Sequence, residues 1–261
     1  GRSDGLNHSH FSALTVKNAL VDLQRKVWGT RSRINLEKPD FSIHVHLRNE
    51  EAVLSLDGSI GSLHKRGYRA AMGIAPLKEN LAAGLIRLSG WESSTPLVDP
   101  LCGSGSLLIE AAGMALGFAP GLNRTFLIEK WADFDSTLWA QEKIRAKSFK
   151  QRINPLQKII GCEQDIGIAE QAKTNVLSAG LEEFVSIRRS HFKDLELPDE
   201  PGSIICNPPY GKRLGRDAEL IDLYEELGKY LNTNASGWQL WLLSGNTELT
   251  KALRMKCSRR I

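Results

Sequence analysis

Residues 97–112 read LVDPLCGSGSLLIEAA, and the fold turns on how this stretch divides. Leu97 and Val98 make a short apolar run that stops at Asp99 and Pro100. The turn from Cys102 to Gly105 carries two glycines, and a helical apolar pattern starts at Leu107. A strand, a glycine turn and a helix are the opening of a βα unit. In such a turn the backbone can approach a ligand closely, and the first N–H groups of the helix point toward it. A tight structural turn explains the same glycines equally well. A dinucleotide fingerprint does not, because Leu108 stands where its third glycine belongs. The acid closing the next apolar run, Glu163, also comes far later than the roughly 20 residues that fingerprint needs.

The same punctuation recurs downstream. Ile159 and Ile160 run into Gly161, Cys162 and Glu163, and further apolar runs cover 184–187, 203–206 and 238–243. Helical patterns lie between them, from Pro76 to Leu88, through Ala172 to Leu177, and from Ala218 to Tyr230. This alternation predicts an α/β fold with a mostly parallel, doubly wound sheet, whose ligands bind beyond the carboxyl ends of its strands. Upstream the texture differs. Residues 11–28 have helical apolar spacing, Ile43, Val45 and Leu47 alternate with polar residues, and a turn at 49–51 precedes a second alternating run, 53–56. Helix, strand, turn, strand make a small α+β piece, with too little core to stand alone below about 70 residues. The boundary is therefore expected near residue 70, giving segments 1–70 and 71–261. An insert between Gly121 and Pro155 fits the alternation poorly. Its Lys143, Arg145, Lys147, Lys150 and Arg152 read either as a solvated helix face or as a basic surface facing RNA.

Composition narrows the class. With 261 residues, 41% hydrophobic and 25% charged, the chain is ordinary globular protein rather than disordered or fibrous. A net charge of +4 allows a nucleic-acid partner without requiring one. The 4 cysteines have no CxxC spacing, which excludes a disulfide framework and a zinc site and points to a reducing, cytoplasmic setting. Cys102, Cys162 and Cys206 read best as small buried residues at strand ends. His44 and His46 share a strand face without a cysteine or acid at ligand spacing, so no metal is expected. The apolar stretch from Leu107 to Ala119 is interrupted by Glu110, so no membrane span is expected. The chain opens at Gly1-Arg2 without Met, and is expected to be a fragment.

The most specific signal is Asn207-Pro208-Pro209-Tyr210, directly after the run Ile204-Ile205-Cys206. The prolines fix φ, remove two donors and hold Asn207 and Pro208 extended. Carbonyl oxygens and an amide oxygen are then exposed as acceptors beside an aromatic ring. That set suits a planar group bearing NH₂.

The pair 99–106 and 207–210 resembles the class I S-adenosylmethionine-dependent amino-methyltransferases. Longer stretches resemble a narrower group: residues 62–69 (SLHKRGYR), 75–82 (APLKENLA) and 207–213 (NPPYGKR). Together they are similar to the bacterial large-subunit ribosomal RNA guanine-N2 methyltransferases that carry an N-terminal THUMP domain. The resemblance implies a Rossmann-like class I methyltransferase sheet, incomplete at its C-terminal edge, preceded by the second half of a THUMP domain. It implies S-adenosyl-L-methionine as cofactor and RNA, ribosomal RNA first, as partner. Asp99, Cys102, Gly103 and Gly105 would hold the methionine end, Glu163 the ribose hydroxyls, and Pro76, Lys78 and Asn80 would close over the amino-acid moiety. His191 stands where the family places an Asp against adenine, with Asp194 three residues on. It reads equally as an adenine contact or as a surface histidine. Asn207, Pro208, Pro209 and Tyr210 would form the catalytic motif, with Asn207 also near the cofactor. Lys212, Arg213 and Arg216 would hold RNA phosphates. Other acceptors remain open at this point: guanine in tRNA, adenine in DNA, a protein glutamine, or a binding module without activity.

Overall fold

A computed structural model describes residues 8–49, 51–70, 77–148, 159–210 and 217–261. In chain order, α1 (Ser9–Trp28), β1 (Ser42–Arg48) and β2 (Glu51–Asp57) precede α2 (Glu79–Ser89), β3 (Leu97–Asp99) and α3 (Ser106–Ala115). Then come α4 (Ser136–Ser148), β4 (Ile159–Glu163), α5 (Ile166–Ser178) and β5 (Val185–Arg189). Last are β6 (Ser203–Cys206), α6 (Asp217–Asn234), β7 (Gln239–Leu242) and α7 (Thr247–Ala252). Single 3₁₀ turns lie at Leu127–Lys130 and Phe192–Asp194. Among the described residues, no helix is long and apolar enough to cross a membrane.

The chain forms two compact units, one of residues up to Ser62 with Thr125–Ala140, the other of Leu63–Arg124 with Gln141–Ile261. In the first, His8 Nδ1 accepts the Phe11 amide at 3.2 Å and starts α1. Gly29, at φ 70°, ends it with its N–H on Arg25 O. β1 and β2 form the expected antiparallel hairpin, in register from Ser42↔Asp57 to Arg48↔Glu51. The 125–140 segment belongs here because it packs here. Ile128 N–H donates to Gly58 O at 3.0 Å, and Trp131 stacks on Phe41 at 5.8 Å. That explains why the insert broke the strand–helix alternation of the second unit. None of the residues of α4 is buried, and Arg145 sits 3.6 Å from Glu142, one turn back. Lys150 and Arg152 lie outside the described residues.

The second unit is built on a five-stranded sheet of order β5-β4-β3-β6-β7, parallel throughout. The chain moves outward from β3 to β5, then returns to place β6 on the other side of β3. A crevice therefore opens between the carboxyl ends of β3 and β6, the switch point of a doubly wound sheet. Alternation along the strands covers both faces. Leu97, Ile159 and Ile205 pack with Ala82, Ile86, Leu108 and Val176 on one side. Val98, Ile160 and Ile204 pack with Leu220, Tyr224, Leu227 and Leu249 on the other. Gly161 is glycine for a packing reason: a Cβ there would meet Leu108 Cδ1 at 2.4 Å and Cys102 Sγ at 2.8 Å.

Candidate active site

Asp99 ends β3 and is only 2% exposed. The Leu101 amide donates to its Oδ1 at 3.1 Å, the one donor recorded for it among the described residues. Burial pushes its pKa up to about 8, and the nearby Glu163 charge adds to this. The turn that follows is stitched to the next strand, with Cys102 N–H on Cys162 O at 2.9 Å and Gly105 N–H on Cys102 O at 3.0 Å. Gly103 (φ 53°) and Gly105 (φ 82°) both need left-handed backbone. Gly105 caps α3 and has no side chain to accept its first amides, which have no side-chain acceptor among the described residues. A fully buried Asn175 on α5 supports the loop, its Nδ2 donating to Ser104 O at 3.1 Å. The only trace of this in the sequence is that one of the three polar residues between Ala172 and Val176, Asn175, falls on the buried face of the helix with them.

Glu163 closes β4 and lies two residues past Gly161, the register partner of Asp99. One of its carboxylate oxygens accepts the Asp165 amide at 2.9 Å. Asp165 in turn caps α5 by accepting the Ile168 amide at 2.8 Å. His191 sits beyond β5 and caps the 3₁₀ turn, its Nδ1 accepting the Lys193 amide at 3.2 Å. The ring lies 4.3 Å from that of Phe192, and Asp194 is exposed. Burial raises the thiol pKa values of Cys102, Cys162 and Cys206.

Asn207 follows β6 on the opposite side of β3. Val98 pairs with Ile204, so Asp99 and Asn207 stand about 8 Å apart by strand spacing and rise. Asn207 Oδ1 is buried and accepts no hydrogen bond among the described residues. Pro208 is buried, Pro209 half-buried, and Tyr210 is 38% exposed. The Tyr210 ring rests on Gly245, where an added Cβ would meet Cδ2 and Cε2 at 3.2 Å. Tyr224 packs fully buried nearby. Lys78 and Asn80 are exposed at the start of α2, where the Lys78 carbonyl accepts the Leu81 and Ala82 amides. Pro76, Lys212, Arg213 and Arg216 lie outside the described residues.

Sequence reasoning passed over the buried charges beside these residues. Arg66 meets Glu110 at 3.1 Å and Arg69 meets Glu79 at 2.7 Å. Burial raises the pKa of Glu110 to about 7 even with the Arg66 cation beside it. Buried carboxylates in the first and second turns of helices read as ordinary helix formers, so only the packing reveals them.

The site can therefore hold a ligand with a cationic group at Asp99 and anionic or polar groups at the start of α3. It can also hold a planar NH₂-bearing group between Asn207 and Tyr210. The residues fit S-adenosylmethionine on structural grounds: a buried carboxylate with one donor, a left-handed glycine loop and an orphaned acceptor share one crevice.

The chain is similar to several known proteins. Residues 66–261 match the family described as RMKL-like, methyltransferase domain, and residues 2–57 match the THUMP domain. A Synechocystis sp. PCC 6803 protein named as an RNA methyltransferase is 42% identical over 261 residues, which is 100% of this chain and 68% of that protein. The ribosomal RNA large subunit methyltransferase K/L of Photobacterium profundum is 41% identical, and the match covers 100% of this chain but 37% of that enzyme. The crystal structure of SMU.472, named as a methyltransferase and complexed with SAH, superposes with a TM-score of 0.82 at 33% identity. That match covers 95% of this chain and 64% of the other. The chain thus belongs to the RMKL-like methyltransferase family, with a THUMP segment ahead of its methyltransferase domain.

Proposed function

We propose that the protein is an S-adenosylmethionine-dependent RNA methyltransferase that acts in the cytoplasm on guanine N2 of 23S ribosomal RNA. One observation carries this reading: the buried, unpartnered Oδ1 of Asn207, across the switch point from the Asp99 turn. An orphaned buried acceptor costs about 1–3 kcal/mol unless a ligand donates to it. An exocyclic amine supplies that donor. The names of the relatives support RNA, and a large-subunit ribosomal RNA, as its source.

When bound, the cofactor supplies an electrophilic methyl group. Asp99 holds the ammonium of its methionine moiety, Cys102, Gly103 and Gly105 line that end, and Glu163 takes the ribose hydroxyls with the oxygen not engaged by Asp165. Lys78, Asn80 and Pro76 are assigned to the amino-acid end, and His191 to the adenine. A guanine N2 lone pair is delocalised into the ring and is a poor nucleophile. Asn207 Oδ1 and the Pro208 carbonyl accept its two N–H bonds, which favours a more tetrahedral nitrogen. Pro209 stiffens that carbonyl pair, and Tyr210 stacks on a base taken out of its helix, worth roughly 1–3 kcal/mol. The protein contributes alignment and acceptor electrostatics, without a strong base. Lys212, Arg213 and Arg216 follow the motif as phosphate ligands.

The test is methyl transfer from tritiated cofactor to unmodified 23S RNA, tRNA and duplex DNA, followed by nucleoside identification. N2-methylguanosine in 23S RNA is expected. Label confined to tRNA, or found as N6-methyladenine in DNA, defeats the acceptor assignment. Asn207→Ala should lower the transfer rate at least about 100-fold while cofactor affinity stays within threefold.

A further inference from the structure

The buried charges ahead of α2 leave one group without a purpose. Arg66 Nη2 meets Glu110 Oε2 at 3.1 Å, and Tyr68 Oη donates to the other oxygen of that carboxylate, also at 3.1 Å. Arg69 Nε donates to Glu79 Oε1 at 2.7 Å, and its Nη2 donates to Leu77 O and, at 2.9 Å, to Ser106 Oγ. The side chains of Arg69 and Glu79 are 12% and 3% exposed. Arg69 Nη1 is buried and has no acceptor among the described residues. Two guanidinium N–H donors are thus withdrawn from water with nothing to receive them, a costly arrangement. A brace between α2 and α3 does not need them, because Nε and Nη2 already make it. Arg66 Nε is also unpartnered, but its guanidinium is tied to Glu110, a turn further along α3.

Ser106 is the first residue of α3 and follows Gly105 directly. The free nitrogen therefore lies at the start of the helix, beside the glycine loop and the positive end of the helix dipole. That place favours an anion, and the N–H groups of a single guanidinium nitrogen make charge-assisted hydrogen bonds to a carboxylate oxygen. We infer that Arg69 Nη1 ligates the α-carboxylate of the cofactor's methionine moiety. This rests on the S-adenosylmethionine reading above, in which Asp99 takes the ammonium of the same group. The glutamate partner of Arg69 keeps the pair neutral, and the amides at the α3 start share the added negative charge.

Calorimetry with S-adenosylmethionine and decarboxylated S-adenosylmethionine, on the wild-type protein, Arg69→Gln and Arg69→Lys, tests it. The wild type should prefer the carboxylated ligand at least about tenfold. Arg69→Gln should bind the two within about threefold of each other, and Arg69→Lys, which keeps the charge but cannot hold Glu79 and Ser106 while also donating from the Nη1 position, should show a reduced preference. Thermal melts establish that each variant is folded; should Arg69→Gln not fold, Arg69→Lys decides. A wild-type preference retained in a folded variant overturns the assignment, as does a wild type that binds both ligands equally. A wild type that binds neither overturns the cofactor reading itself.

Discussion

Asp99 carries the sharpest consequence at the scale of single residues. With its pKa raised to about 8 by burial, its carboxyl is largely protonated at pH 6–7 in the free protein. An arriving ammonium stabilises the carboxylate, so cofactor binding should expel one proton. Affinity is then expected to rise about tenfold per pH unit between pH 6 and 7, one proton being released per binding event. Titration calorimetry in buffers of different ionisation enthalpy reads that proton directly, and Asp99→Asn should flatten the slope. A flat wild-type profile would show that Asp99 does not meet the cofactor's cation. The motif itself was legible in the sequence, since Asp99, Gly103, Gly105 and Asn207 all fall just past apolar runs. The protonation state of Asp99 was not legible, because it depends on what surrounds the carboxyl. Asn175 and Arg69 were missed for the same reason: one polar residue in a helix or loop has no signature until packing shows what it reaches.

Within single elements, glycines give opposite expectations according to their neighbours. Gly84 in α2 has nothing within 4 Å of an added Cβ. Gly84→Ala should follow helix propensity and stabilise the protein by up to about 1 kcal/mol. Gly228 in α6 would place its Cβ 2.1 Å from Leu253 O. Backbone cannot rotate away as a side chain does, so the clash outweighs propensity and Gly228→Ala should destabilise by about 1–3 kcal/mol. Urea midpoints that fail to move in opposite directions would contradict the α6–α7 packing. Gly245 links an element to the chemistry. Its Cβ would press on the Tyr210 ring at 3.2 Å, so Gly245→Ala should cut kcat/KM for RNA about tenfold and leave cofactor affinity unchanged. Undiminished RNA turnover would mean that Tyr210 need not lie where it does. Most elements could be read from apolar spacing. α7 could not, because its six residues, Thr247–Ala252, are too few for the period to register and its start is set by the side-chain cap of Asn246.

For the molecule as a whole, the buried acids set a pH dependence of stability. Asp99 and Glu110 titrate near pH 8 and 7 in the folded chain, above their ordinary carboxyl values. The folded state therefore binds more protons than the unfolded one between about pH 4 and 8, and these groups lose stability as pH rises through that window. The urea midpoint should be lower at pH 8 than at pH 5.5, by an amount equivalent to at least about 1 kcal/mol, and saturating cofactor should reduce the difference. A midpoint that rises with pH would show that the buried acids are not the controlling groups. The sequence by itself determined the βα periodicity, the glycine turn after Asp99 and the proline-stiffened acceptors at Asn207, because each is encoded in adjacent residues. It also marked a change of texture near residue 70. Only the tertiary structure decided that β3 and β6 are neighbours, so that two motifs about a hundred residues apart in the chain face one crevice. It alone decided that residues 125–140 pack with the first unit, and that Arg69 is buried with a nitrogen to spare. Strand order, insertion packing and burial are properties of contacts between distant segments, and no local pattern in the chain records them.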